Sequence, residues 1–135
     1  MDARAAAQLW ATTWEAALAT RDVEAIVRMQ AVDGAHWASP FRAPYLGRDG
    51  LRTYLVESFD DETAPTRAAF AVPAVDGNRA SVEYWVLVEY GGSPFTIAGC
   101  TVLDFDADGL VVEARDYSFV EPGHHSSPPG FSAAR

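Results

Sequence analysis

The last strong β pattern of the chain reads Leu110-Val-Val-Glu-Ala-Arg-Asp-Tyr-Ser-Phe119 and follows the turn Asp106-Ala-Asp-Gly109. Successive side chains of a strand point to opposite faces of a sheet. One face of this strand is therefore mostly small and apolar, yet it carries the carboxylate of Asp116. A carboxylate in such a setting must find a partner, take up a proton or take part in chemistry. Asp116 is the first candidate for a functional residue.

The composition indicates one soluble domain. A chain of 135 residues, 49% hydrophobic and 21% charged, is long enough to bury a core. The formal net charge of -9 argues against nucleic acid or an anionic membrane as partner, because both need a basic face. The single cysteine, Cys100, excludes an internal disulfide, and no apolar run resembles a signal peptide or a membrane span. We expect a cytoplasmic protein.

Helical spacing dominates the first part of the chain and β patterns dominate the second. We predict a helix over 3–19, a short helix from the N-cap Asp22 to about Ala31, a strand over 35–39, a helix opening at Gly47, and strands over 67–75, 79–90, 94–105 and 110–119. Helices followed by an antiparallel sheet make an α+β fold. We expect one domain over 1–120, with the helices packed on a strongly curved antiparallel sheet that forms a cone-shaped pocket. Residues 121–135, rich in Pro, Ser, Gly and His, are predicted to be a flexible tail.

Strand alternation predicts which side chains line the pocket. Aligned on Asp116, the inner wall has few polar groups and consists of Tyr84, Val86, Val88, Ile97, Gly99, Thr101, Ala114, Asp116 and Ser118. The helices add Trp14 and Tyr54, and the short strand adds Trp37 and Ser39. Such a lining suits a small apolar or aromatic molecule. The alternative is that the same rings fill the cone as core.

Asp116 has three interpretations. Burial would raise its pKa toward the range of a general base, which could remove a proton next to a carbonyl group. Donors for the resulting enolate oxygen would come from Tyr84, Thr101, Ser39 or the Trp14 indole. Alternatively, Asp116 anchors the pocket through Trp14 or Arg42, or it binds a ligand without chemistry.

The histidines carry weaker signals. If Trp37 and Ser39 face the pocket, alternation turns His36 outward, whereas a one-residue bulge would bring it near Asp116 as an acid/base pair. His124 and His125 have no carboxylate or cysteine at the spacing of a metal site. We expect neither a metal nor an organic cofactor.

The outer face of the predicted sheet is also apolar. It would carry Trp85, Leu87, Ala98, Cys100, Val102, Tyr117 and Phe119. A monomer would expose this whole surface to water, whereas two copies meeting on a two-fold axis would bury it. We therefore expect a homodimer.

Several short motifs occur in a familiar order along the chain. They are Trp14-Glu-Ala-Ala-Leu18, Arg21-Asp-Val-Glu-Ala-Ile-Val27, Ser39-Pro40, Gly47-Arg-Asp-Gly-Leu-Arg52, Glu89-Tyr90 and Asp106-Ala-Asp-Gly-Leu-Val-Val-Glu113. In this order the chain resembles the nuclear transport factor 2-like superfamily, a cystatin-like α+β roll, and especially its SnoaL-like and ketosteroid-isomerase-like branch. The resemblance implies a conical pocket and dimerisation through the outer face of the sheet.

The functional groups of ketosteroid isomerase do not carry over. Its oxyanion tyrosine falls on Trp14, its catalytic aspartate on Ser39 and its protonated aspartate on Thr101, so all three groups differ. Asp116 resembles instead the acid/base aspartate of SnoaL-like polyketide cyclases. The resemblance implies a cofactor-independent cyclase, isomerase or hydrolase that uses Asp116. A non-catalytic ligand-binding or accessory module of the same fold, or a protein whose cone is filled by its own side chains, are the alternatives.

Overall fold

Three helices form one layer of the molecule in the computed structural model, which describes residues 1–131. Helix α1 spans Ala3–Thr20 and begins at Asp2, whose side chain accepts a hydrogen bond from the amide of Ala5. Asp22 caps α2, Val23–Val27, in the same way through the amide of Ala25. Helix α3 spans Gly47–Asp60. The polar caps explain why the chain can turn between α1 and α2 within two residues.

Seven strands of the described chain form one curved sheet. They are β1 Gln30–Trp37, β2 Tyr45–Leu46, β3 Arg67–Phe70, β4 Ala74–Asp76, β5 Arg79–Tyr90, β6 Ser93–Phe105 and β7 Val111–Pro122. The order across the sheet is β2-β1-β7-β6-β5-β3, and β4 pairs with β5. The α+β prediction is confirmed. One detail was wrong: β1 runs parallel to β7, so the sheet is mixed instead of antiparallel.

The predicted strand over 67–75 is divided into β3 and β4. Pro73 lies between them, and proline has no amide hydrogen to offer a neighbouring strand. The amide of Ala71 still bonds to the carbonyl of Glu83, after which the ladder is interrupted until Ala74. The break is therefore a local consequence of proline.

Two apolar clusters hold the layers together. The larger one packs α1 against the sheet through Ala7, Trp10, Val82 and Leu103, all at or near zero exposure. The smaller one joins the three helices around Ile26 and Leu55 and includes Ala17, Val27, Leu51 and Phe59. The small alanines of α1 let the helix approach the sheet closely. The space left between the clusters is the cavity described below.

Strand β1 contains the irregularity that decides which residues it presents to the interior. Along the parallel pair, β1 advances from Gln30 to Ala35 while β7 advances only from Val111 to Glu113. The extra residues lie between Gln30 and Ala35 and include the buried Gly34, where a Cβ atom would lie 2.7 Å from the carbonyl oxygen of Val111. Only glycine fits this close approach. The predicted strand start at Ala35 was therefore late.

Residues 121 and 122, which were predicted to begin the flexible tail, still belong to the sheet. Strand β7 continues to Pro122, and the following residues lie across the outer face of the sheet. Thr96 Oγ1 donates to the carbonyl of Gly123 at 2.8 Å, and Trp85 Nε1 donates to the carbonyl of His125 at 2.8 Å. The Phe131 ring contacts Trp85 with a centroid distance of 6.1 Å. The sheet therefore extends two residues past the predicted boundary at residue 120, and 132–135 lie outside the described residues.

Candidate functional site

A cavity of about 200 Å³ lies between the inner face of the sheet and helices α1 and α3. Its walls are dominated by rings: Trp10, Trp14, His36, Tyr54, Phe59, Phe70, Tyr84 and Tyr90. The regular alternation of β5, β6 and β7 brings Val86, Thr101, Asp116 and Ser118 to the same cavity. The cone is therefore hollow, and the interpretation that its rings fill it completely does not hold.

Asp116 lies partly buried in the sheet wall of this cavity. Its Oδ1 atom accepts a hydrogen bond of 2.6 Å from the Tyr84 hydroxyl and one of 3.1 Å from Thr101 Oγ1. The donors are these two residues instead of the predicted Trp14 or Arg42. Both come from strands β5 and β6, in which Thr101 is the registered partner of Asp116. The aspartate is thus held by its own sheet.

Gly99 creates the space in which Tyr84 reaches Asp116. It pairs with Tyr84 on one side and with Ser118 on the other. A Cβ atom on Gly99 would lie 2.5 Å from the Tyr84 hydroxyl and 2.6 Å from the carbonyl oxygen of Tyr117. A side chain at this position would therefore push the phenol away from the carboxylate.

The surroundings of Asp116 favour the protonated form of its carboxyl group more than bulk water would. Burial raises the pKa of the Asp116 carboxyl above its ordinary value, and hydrogen bonds from Tyr84, Thr101 and Ser118 oppose this rise without cancelling it. Burial, and then the negative charge of Asp116, also raise the pKa of the Tyr84 hydroxyl. Tyr84 therefore stays protonated and remains a donor at neutral pH.

His36 points into the cavity, because the bulge in β1 sets it opposite Ala114 in the parallel pair. Residues opposite each other in a parallel pair point to the same face of the sheet. His36 therefore points to the same face as Ala114 and as Asp116, which lies two residues further along β7. The ring is only 5% exposed, and burial lowers the pKa of His36 to about 4. Its imidazole is therefore neutral at pH 7.

The same bulge corrects the predicted placement of two ligand-binding residues. Trp37 lies opposite Arg115 and faces away from the cavity, and Ser39 is also absent from its lining. Ser39 Oγ accepts instead from the amide of Phe41 and shapes the loop after β1. Strict alternation across 35–39 assumed an unbroken register, which the bulge removes.

Two polar residues that were not predicted join Tyr54 in the cavity wall. Ser58 lies one helical turn after Tyr54 in α3, and Glu62 follows the end of this helix at Asp60; all three line the cavity. The hydroxyl of Thr66 donates to Glu62, whose pKa is nevertheless raised by burial. Burial first and the charge of Asp116 second raise the pKa of Tyr54 to about 12. The interval of four residues from Tyr54 was the signal that could have identified Ser58, whereas Glu62 lies beyond the end of α3 and no helical interval applies to it.

Two buried nitrogen atoms at the cavity have no hydrogen-bond partner within residues 1–131, namely Trp14 Nε1 and His36 Nε2. The two rings are stacked, with centroids 6.3 Å apart and planes inclined by 15°. The His36 ring also contacts Tyr54, at a centroid distance of 4.7 Å. In the same part of the chain, no three His, Cys, Asp or Glu side chains are grouped as metal ligands. None of the helices described is long and apolar enough to cross a bilayer.

A curved sheet and three helices enclosing a ring-lined cavity with one carboxylate in its wall define a class of small α+β pocket proteins. Within this class the chain belongs to the SnoaL-like domain family, whose model matches residues 11–114. The prediction of a SnoaL-like family is thereby confirmed, and the ketosteroid isomerase-like fold of similar solved structures is consistent with the nuclear transport factor 2-like superfamily. The match ends two residues before Asp116, so the family assignment does not depend on that residue.

Solved structures show the same fold at low sequence identity. A protein from Catenulispora acidiphila with a ketosteroid isomerase-like fold, solved in complex with trimethylamine, is 19% identical with a TM-score of 0.68. That alignment covers 78% of this chain and 82% of the other. The epoxide hydrolase/cyclase-like enzyme SalBIII, which has a role in pyran ring formation in the polyether salinomycin, is 16% identical with a TM-score of 0.72. That alignment covers 85% of this chain and 91% of the SalBIII chain. No curated protein matches the sequence.

Proposed function

We propose that this protein binds a small, neutral, apolar or aromatic molecule in the cavity and acts on it with Asp116 as acid and base. The reaction class is a cofactor-independent isomerisation or cyclisation. The observation that carries the proposal is the partly buried carboxylate of Asp116 in a ring-lined cavity, with no cationic partner among residues 1–131. The ring-forming role of SalBIII, which has a similar fold, supports it by analogy.

The chemistry follows from the pKa of Asp116. A general base works best when its pKa lies near the working pH, and burial moves Asp116 in that direction. The ionised carboxylate removes a proton from carbon and returns it at another carbon or oxygen, so no co-reactant is consumed. Tyr84 and Thr101 fix the orientation of the carboxylate during both transfers.

The cavity limits the size and charge of the ligand. An engineered protein cavity of about 150 Å³ holds benzene, so about 200 Å³ suits one substituted ring better than a fused polycycle. Within residues 1–131, the ionisable side chains of its lining include the carboxyl groups of Asp116 and Glu62 and the neutral His36, but no arginine. An anionic ligand would therefore be buried beside carboxylates without a compensating cation.

The proposal is tested by proton exchange at carbon. The protein is incubated in D₂O with acetophenone, and loss of the methyl proton signal is followed by NMR. We expect exchange above the buffer rate, lost by at least about tenfold in Asp116→Asn because an amide cannot act as the base. The exposed carboxylate variant Asp108→Asn is the matched control and should exchange at the wild-type rate. Equal exchange in wild type and Asp116→Asn would remove Asp116 from the chemistry.

A non-catalytic ligand-binding module of the same fold is the second candidate. It is favoured by the two hydrogen bonds that Asp116 already receives from its own sheet, which satisfy the carboxylate without a substrate. A native ligand recovered chemically unchanged after prolonged incubation with the protein would support this candidate over the enzyme.

A further inference from the structure

A second carboxyl group, that of Glu62, lies in the cavity wall and takes no part in the chemistry proposed above. Glu62 follows the end of α3, is partly buried, and lines the cavity together with Thr66 and Tyr90. A carboxylate on a wall that consists mostly of rings loses hydration and must regain hydrogen bonds from a partner. The groups that hold Glu62 therefore indicate what it can still bind.

Glu62 is held in place by its neighbours. Thr66, only 3% exposed, donates its hydroxyl to Oε1 of Glu62. The backbone is fixed as well, by a bridge between Glu62 and Tyr90 at the end of β5 and by the Glu62 amide, which donates to the carbonyl of Phe59 at 3.1 Å. An ionised carboxylate has about four acceptor sites. The bond from Thr66 therefore orients Glu62 and leaves it able to accept from a ligand.

The charges around Glu62 favour a neutral hydrogen-bond donor. Burial raises the pKa of the Glu62 carboxyl above its ordinary value, although the hydrogen bond from Thr66 and the positive charge of Arg21 oppose the rise. Because the charge of Arg21 already reaches this carboxyl group, a ligand cation placed here would be repelled by Arg21. A hydroxyl group supplies a hydrogen bond without that repulsion.

The two carboxyl groups of the cavity act on different neighbours. After burial, the charge of Asp116 is the next cause that raises the pKa of Tyr54 and of Tyr84. For Tyr90 the corresponding cause after burial is the charge of Glu62. A ligand that fills the cavity therefore meets Asp116 on the sheet wall and Glu62 beside the end of α3, and the rest of the lining is largely rings and aliphatic side chains.

We propose that Glu62 binds a hydroxyl group of the ligand, so that the substrate is a ring compound with a carbonyl group at one end and a neutral hydroxyl group at the other. This inference rests on the proposed function and names its substrate class. Asp116 meets the C–H group next to the carbonyl, while Glu62 accepts a hydrogen bond from the distant hydroxyl. Glu62 is then a specificity-determining residue and transfers no proton.

Three probes that differ in one group test the inference. They are para-ethylacetophenone, para-(hydroxymethyl)acetophenone and para-(aminomethyl)acetophenone, which place a methyl, a hydroxyl or an ammonium group at the same point of one ring. The affinity of each for the full chain is measured by NMR titration at neutral pH. An apolar wall alone would favour the ethyl compound. We expect the alcohol to bind at least as tightly, because a charge-assisted hydrogen bond to Glu62 replaces its lost hydration, and the ammonium compound to bind more weakly.

Variants assign the preference to the carboxylate. Glu62→Gln keeps the shape but loses the charge, so the ratio of the alcohol affinity to the ethyl affinity should fall about fivefold. Glu62→Leu removes the acceptor, and the ratio should fall roughly tenfold or more. Glu57→Gln, an exposed change on α3, is the matched control and should keep the wild-type ratio. Comparing the two probes within each variant cancels any general loss of affinity from looser packing.

The outcomes separate this inference from the catalytic proposal. An unchanged ratio in both Glu62 variants, tightest binding of the ammonium compound, or no binding of any probe would overturn the inference; an unchanged ratio is also the result expected if water alone occupies the acceptor sites of Glu62. A hydroxyl preference that depends on Glu62, without proton exchange at carbon, would defeat the catalytic proposal alone. Exchange of acetophenone needs no hydroxyl group, so its loss in Asp116→Asn would stand even if Glu62 showed no preference.

Discussion

Gly99 and Tyr84 together determine how Asp116 is held. The missing side chain of Gly99 leaves room for the Tyr84 phenol, which donates at 2.6 Å to the carboxylate. This bond stabilises the ionised form and so limits the rise in pKa that burial causes. The pKa of Asp116 is therefore set by two opposing local effects, burial and hydrogen bonding, and each can be changed separately.

Removing the Tyr84 hydroxyl should raise the pKa of Asp116 further. In Tyr84→Phe the carboxylate keeps its burial but loses a strong hydrogen bond, and we expect the pKa of Asp116 to rise above its value in the wild type. The shift is read from the pH dependence of proton exchange or of the Asp116 carboxyl ¹³C signal. Tyr117→Phe, on the opposite face of the sheet, is the control and should leave the titration unchanged. A downward shift in Tyr84→Phe would contradict this account.

Strand β1 marks the limit of what sequence patterns could predict. Strands β5, β6 and β7 pair in long regular ladders, so alternation correctly places Tyr84, Thr101 and Asp116 on one face. The bulge around Gly34 depends on how closely β1 approaches the carbonyl of Val111, a contact between distant segments. No local pattern encodes that contact, so strict alternation turned Trp37 toward the cavity that it does not line, and the face of His36 stayed open between two alternatives.

A side chain at Gly34 should disturb this register. In Gly34→Ala the new methyl group would lie 2.7 Å from the Val111 carbonyl oxygen and 2.8 Å from Gln30 Cγ. We expect a loss of about 1–3 kcal/mol in the free energy of unfolding, as for other overpacked sites. Urea denaturation measures it, with Val32→Ala, 74% exposed on the same strand, as a control that changes stability by less than about 0.5 kcal/mol. If Gly34→Ala were as stable as the wild type, the close approach of Gly34 to Val111 would not fix the register of β1.

At the scale of the whole molecule, the outer face of the sheet is only partly covered by the chain itself. Residues 123–131 lie over Thr96 and Trp85, whereas Phe119 remains 83% exposed beside Tyr117. We propose that a second copy covers this remaining surface as a homodimer. The contacts of residues 123–131 with the sheet could not be predicted from the sequence, because they depend on tertiary packing.

The dimer is tested by light scattering. We expect a dimer mass for the wild type and a monomer mass for Phe119→Glu, because the charge would be buried at the contact. Leu9→Glu changes an exposed apolar residue on α1, away from this face, and should remain dimeric. A monomer mass for the wild type at all concentrations would rule the dimer out.

Burial of His36 links the stability of the molecule to pH. The unfolded chain binds a proton at His36 below about pH 6.5, whereas the folded protein does so only near pH 4. Stability from this group is therefore lost as the pH falls through that window, by about 2 kcal/mol between pH 7 and pH 5. Denaturation at both pH values should show a smaller loss in His36→Phe. An identical loss in the variant would contradict the burial of a neutral imidazole.

The most direct test of the whole account is the titration of Asp116 itself. The carboxyl ¹³C signal is followed against pH in protein labelled at aspartate and is assigned by its absence in Asp116→Asn. A midpoint above the ordinary value of about 3.9 for an aspartate is the predicted result, since burial in the cavity wall outweighs the hydrogen bonds. A midpoint at or below that value would mean that the carboxylate is solvated or fully stabilised as an anion, and Asp116 would not be the base of this site.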